Sequence, residues 1–173
     1  MSKIAINRVT NANIYIEGVN LLGRAEEIKL PDISAMMSEH KALGMFGKVE
    51  LPSGFDKLDG EIKWNSYYKE VAKVVANPFK ALQLQCRSSI EVYGSGGRVS
   101  QLPLVTHLTV MFKKNPAGTF KPHDNVELPS AFSATYIKQV IDGEDVLELD
   151  YLANIYKVGG EDLLQQYRAN IGG

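Results

Sequence analysis

The sequence predicts a mainly β protein, an antiparallel sandwich or barrel with one central α-helix and a short C-terminal helix. Apolar residues recur with a period of two through most of the chain, as in strands that bury one face. Asp142-Gly143 lies between two such alternating runs, and Gly94-Ser-Gly-Gly97 lies between two longer ones. Asp-Gly in this setting indicates a two-residue hairpin turn. Strands joined by hairpins, without intervening helices, are expected to pair antiparallel.

About seven strands are expected from the alternation. In chain order they are Asn13–Glu17, Arg24–Leu30, Leu58–Trp64, Lys80–Tyr93, Val99–Lys113, Val126–Ile141 and Val146–Val158. The first two are predicted to form a hairpin, because a turn signal at Leu22-Gly23 separates them. The two longest are joined by the glycine-rich tetrapeptide, and the last two by Asp142-Gly143.

Two helices complete the prediction. The central helix is expected after Ser66, a possible N-cap, and before Pro78, which cannot continue it. Its apolar side chains follow helical spacing: Tyr68, Val71, Ala72 and Val75. The C-terminal helix is expected to follow Gly159-Gly160 and to dock on the sheet through Leu163, Leu164 and Tyr167.

Length and composition indicate one soluble domain spanning residues 1–173. Apolar residues make up 45% of the chain and the formal net charge is -1, so the basic surface of a dedicated nucleic-acid binder is missing. Any contact with DNA is therefore expected to be weak. Cys86, the single cysteine, is predicted to be a buried apolar residue in a reducing compartment. The N-terminus lacks an export signal and no apolar run reaches membrane-spanning length, so no membrane insertion is expected.

A search for chemistry gives no catalytic, cofactor-binding or metal-binding motif. The histidines, His40, His107 and His123, have no ligand spacing to one another or to cysteine. The glycine-rich tetrapeptide is followed by a strand-like run, whereas a phosphate-binding loop needs the N-terminus of a helix. The sequence therefore predicts neither an enzyme nor a cofactor.

The segment at about 31–48 is predicted to be a long interaction loop. It has no periodicity of its own, yet it is rich in apolar residues, unlike a disordered segment. Its candidate contact residues are Ile33, Met36, Met37, Leu43, Met45 and Phe46. Exposed apolar clusters of this kind mark interaction surfaces.

The long strand from Lys80 to Tyr93 has one polar face and one apolar face. The polar side chains are Gln83, Gln85, Arg87, Ser89 and Glu91. This pattern fits a solvated outer sheet face equally well as the wet inner wall of a wide barrel. If the face is an outer one, the inner wall falls instead to Glu61, Lys63 and Asn65, or to Ser133 and Thr135.

Several short motifs, taken in their order along the chain, also resemble those of a known family. The C-terminal third carries Tyr136–Asp150, with Ile141-Asp-Gly143 at its centre, then Asn154–Leu164 and Arg168–Gly172; the N-terminal part carries Asn11–Gly18, Glu27–Pro31 and Glu39–Met45. In this order they resemble the major tail tube proteins of contractile phage tails, a family that R-type pyocin tubes share. The match is loosest from Lys80 to Asn125. Gly159-Gly160 departs from the expected Asn-Gly, which is harmless because both residues tolerate positive φ.

The resemblance implies a structural subunit of the virion tail tube, assembled in the host cytoplasm as homo-hexameric rings that stack. Strands of each subunit would join a ring-shaped barrel whose lumen conducts DNA during ejection, or stays empty in a bacteriocin. The polar strand face is then the candidate lumen lining, and the 31–48 segment the candidate contact between subunits or rings. Implied partners are the sheath, tape measure, baseplate and tail terminator proteins, with transient, non-specific contact to DNA in the lumen.

Three alternatives remain open at the level of sequence. One is a tube subunit like those of type VI secretion systems. Another is a small-ligand-binding β-barrel with a pocket lined by Trp64, Phe112, Phe132 and Tyr136. The third is an enzyme that uses His107 and His123. The host, and whether the parent particle is a DNA-carrying phage or a headless bacteriocin, are also open.

Overall fold

The computed structural model describes residues 4–173 and divides them into twelve strands and two helices. The strands are β1 (Ile6–Ile16), β2 (Val19–Asn20), β3 (Ala25–Lys29), β4 (Ala35–His40), β5 (Val49–Phe55), β6 (Leu58–Trp64), β7 (Leu82–Gly94), β8 (Gly97–Phe112), β9 (Leu128–Ile141), β10 (Glu144–Asp150), β11 (Ile155–Val158) and β12 (Glu161–Asp162). The helices are α1 (Lys69–Val75) and α2 (Gln165–Ile171). The prediction of a mainly β, antiparallel fold with a central and a C-terminal helix is confirmed.

Ten strands form one antiparallel sheet that forks at β9. The order β12-β11-β10-β9-β8-β7-β1-β2 gives the main path. β8 occupies one edge of β9, while β6 pairs with residues 128–134 and β10 with residues 136–141 along the other edge. β3 continues the branch that β6 begins. The fork lies at Thr135, where the β8–β9 register shifts and the carbonyl of Thr135 accepts a hydrogen bond from Tyr151 N at 3.0 Å.

A single hydrophobic cluster lies on one side of this sheet. It takes side chains from β1, β6, β7, β8, β9, β10 and α1, and its largest fully buried members include Phe112, Phe132, Leu58, Leu84 and Leu108. The rings of Phe112 and Phe132 meet edge to face with centroids 5.9 Å apart. Because strands from both the main path and the branch share the cluster, the sheet curves around it. The opposite face of the main path is left to polar side chains.

The structure corrects the predicted pairing of the N-terminal strands. β1 pairs with β7 along most of its length and with β2 only at Tyr15 and Ile16, whereas β3 pairs with β6. The predicted hairpin between the first two strands is therefore wrong. The chain turns at Leu21, whose buried side chain joins the core, and leads β3 to the other side of the cluster. The turn signal at Leu22-Gly23 predicted a local hairpin, but it carries no information on the burial of Leu21 in the core, which accompanies the different path of the chain.

Both helices are shorter and differently bounded than predicted. α1 has Tyr68 at its N-cap without a side-chain capping bond, so Ser66 does not cap it; Val71 and Val75 are buried against the core. α2 begins at Gln165, and its residues are all at least partly exposed. Leu164 is half-buried, but Leu163 and Tyr167 are each 52% exposed, so one predicted contact forms and two do not. Neither helix in residues 4–173 is long and apolar enough to cross a membrane.

The segment predicted to be a loop at 31–48 contains strand β4, which pairs with β5 in a separate two-stranded sheet. Every residue of β4 is exposed, and so is every residue of β5 except Phe55. We call this hairpin, residues 35–55, the arm. Alternation was not visible in the sequence because neither face of the arm is buried within the subunit, so nothing requires its residues to alternate.

A polar sheet face and an exposed arm as candidate functional sites

The face of the main sheet opposite the core, here called the polar face, extends across seven strands. One register row runs through Tyr15, Gln85, His107, Lys138, Glu148, Lys157 and Asp162, from β1 to β12. On β1, β7, β8, β9 and β10 these residues alternate with side chains that point to the core. The face is therefore a mostly polar surface, interrupted by Val105, Val140 and Met111.

The five residues singled out on β7 all lie on this face. Gln83, Arg87 and Ser89 are exposed, while Gln85 and Glu91 are half-buried among their neighbours. The intervening residues include Leu82, Leu84, Cys86 and Ile90, which are buried. The alternative positions Glu61 and Lys63 lie on β6, and Ser133 on the half of β9 that pairs with it. They belong to the branch, outside the register row.

Arg87 is held flat against the centre of the polar face. Its Nε and Nη2 donate to Oε1 of Gln85 at 3.2 and 2.8 Å. Its guanidinium carbon lies 4.6 Å from the centroid of the Tyr15 ring, a cation–π contact with the neighbouring strand. Beside it, Gln83 Nε2 donates to Thr109 Oγ1 at 3.2 Å. Side chains on this face are thus engaged with one another across strands.

Charges gather near the β7–β8 turn around Glu91. Arg98 Nη1 lies 3.1 Å from Glu91 Oε1, and the Tyr93 hydroxyl donates to Glu91 Oε2 at 2.9 Å. Arg8 is the register partner of Glu91 on β1. The hydrogen bond from Tyr93, with the charges of Arg98 and Arg8, holds the pKa of Glu91 below its ordinary value.

A second group of charges covers β9, β10 and β11. Lys138 Nζ lies 2.9 Å from Asp145 Oδ2, and Lys157 Nζ lies 3.6 Å from Glu148 Oε2. The bond to Asp145 raises the pKa of Lys138. Tyr136 donates to Glu148 Oε1 at 3.0 Å, and burial with this bond raises the pKa of Tyr136 to about 12.

At the edge of the face, Arg168 of α2 is tied to β12. Its Nη2 lies 2.5 Å from Asp162 Oδ2, and Nη1 donates to the carbonyl of Asn154 at 2.8 Å. The ion pair raises the pKa of Arg168 and lowers that of Asp162. These contacts connect the C-terminal helix to β12 and to the carbonyl of Asn154, beside half-buried Leu164.

The arm presents most of the predicted interaction residues. Leu43 and Phe46, in the turn between β4 and β5, are the most exposed large apolar side chains of the described residues, at 104% and 110%. Met36, Met37 and Met45 are also exposed. Ile33 differs, because it precedes the arm and packs against the core cluster. Five of the six residues therefore belong to the arm and one belongs to the body.

The root of the arm is fixed to the body. The rings of Phe55 and Tyr156 meet edge to face with centroids 4.7 Å apart. The Tyr151 hydroxyl donates to the carbonyl of Asp56, and Asp56 N donates to the carbonyl of Ser34 at 2.9 Å. The arm thus leaves the body at a defined position, while the apolar side chains at its tip, Leu43 and Phe46, are fully exposed.

The two alternatives that depend on side-chain sites find little support in the geometry. Three of the four aromatics proposed for a ligand pocket, Trp64, Phe112 and Phe132, are buried in the core, and Trp64 Nε1 donates to Ser130 Oγ at 2.9 Å. Tyr136 lies on the polar face. Within residues 4–173, no group of three or more histidine, cysteine, aspartate or glutamate side chains is arranged to hold a metal ion. Cys86 is buried, and burial raises the pKa of its thiol.

Sequence reasoning missed the residues that complete the polar face on other strands: Tyr15, His107, Lys138, Glu148 and Lys157. Each lies in a predicted strand, and alternation could have assigned its side. The register that brings them into one row could not be read locally, because the strands are up to 140 residues apart along the chain.

Comparison with known proteins identifies the family. The family model for phage tail tube protein FII matches residues 6–172. The tail tube protein of Escherichia phage P2 is 24% identical over 166 residues, covering 92% of this chain and 94% of its own. The major tail tube protein of Serratia phage KSP20 is 26% identical over 152 residues, covering 87% and 86%.

Solved structures with the same fold come from an extracellular contractile injection system. A chain of its sheath–tube complex in the extended state has a TM-score of 0.56 at 10% identity, covering 75% of this chain and 87% of that one. A chain of its sheath/tube terminator gives 0.56 at 9% identity, covering 75% and 92%. With the family model matched from β1 to the end of α2, the chain belongs to the phage tail tube protein FII family and is a structural subunit of a tail tube.

Proposed function

We propose that the chain assembles into hexameric rings that stack as the tube of a contractile phage tail, without enzymatic activity, and that its polar face lines the lumen through which DNA passes. The observation that carries this proposal is the polar face itself, a mostly polar surface whose central register row crosses seven strands. A wall of a wide barrel needs one side packed on a core and one side wet, as this sheet has.

The sheet also has edges for ring closure. From Ile6 to Ile14, β1 has β7 on one side and no strand of the described residues on the other. Residues 97–103 of β8 likewise extend beyond the paired part of β9. Ile6 and Val9 on the first edge are exposed. Long open edges invite uncontrolled pairing, and closure with neighbouring copies in a ring removes them.

The arm is proposed to dock on a second copy of the chain, in the same ring or the next. An isolated two-stranded sheet is marginally stable in water, so the arm needs a surface to pack against. The subunit offers none, whereas a tube surrounds each subunit with identical neighbours. A contact between the arm and a different surface of its neighbour is heterologous, the kind that generates rings and stacks.

Replacing the two apolar residues at the tip of the arm with serine tests whether the arm is needed for tube assembly. In Leu43→Ser/Phe46→Ser, we expect a folded subunit that no longer forms tubes by negative-stain microscopy, with unfolding free energy within about 0.5 kcal/mol of wild type. Leu152→Ser is the matched control, because Leu152 is 83% exposed but lies on the body. Normal tubes from the double variant would contradict the role of the arm.

Labelling in finished tubes tests the lumen assignment. Gln85→Cys places a thiol in the middle of the polar face, and Glu70→Cys places one on α1, on the other side of the core. We expect a bulky thiol reagent to modify position 70 rapidly and position 85 slowly in tubes, and both rapidly in free subunits. Rapid labelling of position 85 in tubes would place the polar face outside the lumen.

In the virion the tube is proposed to contact the sheath, tape measure, baseplate and tail terminator proteins after assembly in the host cytoplasm. The fold shared with chains of a sheath–tube complex and of a sheath/tube terminator supports the first and last of these. Size-exclusion chromatography and microscopy of the purified chain give the first test. A persistent monomer that forms neither rings nor tubes at high concentration would count against the whole proposal.

A further inference from the structure

We infer that intramolecular partners engage most of the lysine and arginine side chains of the polar face, so that DNA touching it meets few free cations, and that Glu91 is the residue on which this masking depends most. The role in DNA passage rests on the proposed lumen position of the face. The masking itself is a property of the subunit and can be tested without a tube.

The pairing near the β7–β8 turn is the densest. Glu91 faces Arg98 at 3.1 Å on one side and is in register with Arg8 on the other. The Tyr93 hydroxyl donates to the second carboxylate oxygen, which keeps Glu91 oriented between the two arginines. Glu91 therefore forms an ion pair with Arg98, and the charge of Arg8, its register partner, also acts on it, so loss of the carboxylate would leave both guanidinium groups without this anion.

In the middle of the face, Arg87 is restrained by a neutral side chain and an aromatic ring, without a carboxylate partner among the described residues. Gln85 Oε1 accepts two of its N–H donors, and the guanidinium lies over the Tyr15 ring. Gln85 thereby occupies the Nε–Nη2 edge of Arg87, and a phosphate would have to displace Gln85 to make a bidentate contact at that edge. His107 lies on the adjacent strand β8, in register with Gln85. Burial and the charges of Lys138 and Arg87 lower the pKa of His107, so the imidazole stays neutral at pH 7.

The far side of the face repeats the pairing with lysines. Lys138 is paired with Asp145 and Lys157 with Glu148, on adjacent strands. Arg168 and Asp162 close the series at the edge. Arg98, Lys138, Lys157 and Arg168 thus each have a carboxylate partner in the same subunit, and Arg87 has Gln85.

The consequence for DNA follows from counterion release. Affinity for DNA rises with the number of phosphates that lysine and arginine neutralise. A paired cation offers little, because the approaching phosphate meets the carboxylate as well. On a face built this way most cations have a partner from the same subunit, so a polyanion finds few free cations to neutralise, which suits a conduit that must release what it carries.

Glu91→Gln tests the masking in purified subunits, with a short mixed-sequence duplex as the probe at low salt. Uncovering Arg8 and Arg98 should raise the affinity for the duplex by about tenfold or more, and steepen the slope of log K against log salt by about one to two. Glu70→Gln is the matched control. It removes the same charge and frees Arg24 at 3.5 Å, but on the α1 side of the core. We expect it to change the affinity much less, because only one cation is uncovered there.

Asp145→Asn, at a half-exposed position, keeps the inference testable if Glu91→Gln folds poorly; it should give a smaller gain by freeing Lys138. If neither variant binds the duplex better than Glu70→Gln does, the masking inference is wrong. If Glu91→Gln subunits gain affinity and phage carrying the change eject DNA more slowly, both inference and lumen assignment hold. Gained affinity with normal ejection would keep the masking and overturn the lumen assignment.

Discussion

The β7–β8 hairpin and the arm are both antiparallel hairpins, yet they differ in what supports them. In β7–β8 one face is packed into the core, with Leu84 and Leu108 fully buried, and the other face is polar. In the arm both faces are exposed, and apolar residues such as Leu51 and Val49 lie in solvent. The first hairpin is packed on the core of its own subunit, whereas neither face of the second is buried among the described residues.

The difference teaches how stability and assembly are divided over the chain. Burial of apolar area stabilises the body, at about 25 cal/mol per Å² removed from water. The arm contributes almost none of this within the subunit, because its residues other than Phe55 are exposed. Substitutions in the body should therefore change folding, and substitutions in the arm should change assembly.

The largest effect is expected from truncating a buried leucine of the β7–β8 hairpin. Leu108→Ala should lower the unfolding free energy by about 2–5 kcal/mol, because it removes a fully buried side chain and leaves a cavity. The measurement is urea unfolding followed by circular dichroism. Leu51→Ala in the arm is the matched control and should stay within about 0.5 kcal/mol of wild type. Equal losses from the two variants would break the distinction between body and arm.

Two glycines, Gly60 in the body and Gly47 in the arm, allow the same comparison between body and arm. Gly60 of β6 faces the core, and a Cβ there would collide with the Phe132 ring and lie 2.7 Å from the carbonyl oxygen of Lys29. Gly60→Ala should cost about 1–3 kcal/mol of unfolding free energy, as overpacking does. At Gly47, in the arm, a Cβ would meet nothing within 4 Å. Gly47→Ala should leave the thermal midpoint unchanged or slightly raised, and a comparable drop there would mean that the arm is packed.

The C-terminal segment lies between the two extremes. Leu164 is half-buried, and Arg168 ties α2 to Asp162. Leu164→Ala should lower the unfolding free energy by about 1 kcal/mol, less than a core leucine, since only part of the side chain leaves water. Thermal denaturation measures it. A loss as large as that of Leu108→Ala would mean that α2 belongs to the core, and no loss would make it a mere tail.

The free energy of local opening is expected to be smaller for the arm than for the β7–β8 hairpin. In free subunits, amides of β4 and β5 should exchange with solvent far faster than those of β7 and β8, because few buried contacts oppose opening. In assembled tubes the arm amides should become protected. Hydrogen exchange with mass spectrometry follows both, and an arm that stays unprotected in tubes would argue against docking on a neighbour.

Much of the sheet could be predicted from the sequence, because burial of one face imposes alternation. β6, β7, β8 and β9 follow the expected strands within a few residues, and Asp142-Gly143 forms the expected turn with φ of 50° and 80°. The side on which each β7 residue lies was also predictable. The arm was not, since a hairpin with two exposed faces carries no alternation to detect.

Local patterns were enough to predict the strand-rich class, the two longest hairpins, the burial of the single cysteine and the polar side of β7. The pairing of β3 with β6, the fork of β9 at Thr135 and the placement of Glu91 beside Arg8 and Arg98 became visible only in the folded chain. The two sets of features differ in the distance along the chain over which they are set. Alternation and turn chemistry act between neighbours in the chain, whereas strand partners and ion pairs depend on which distant surfaces share one core.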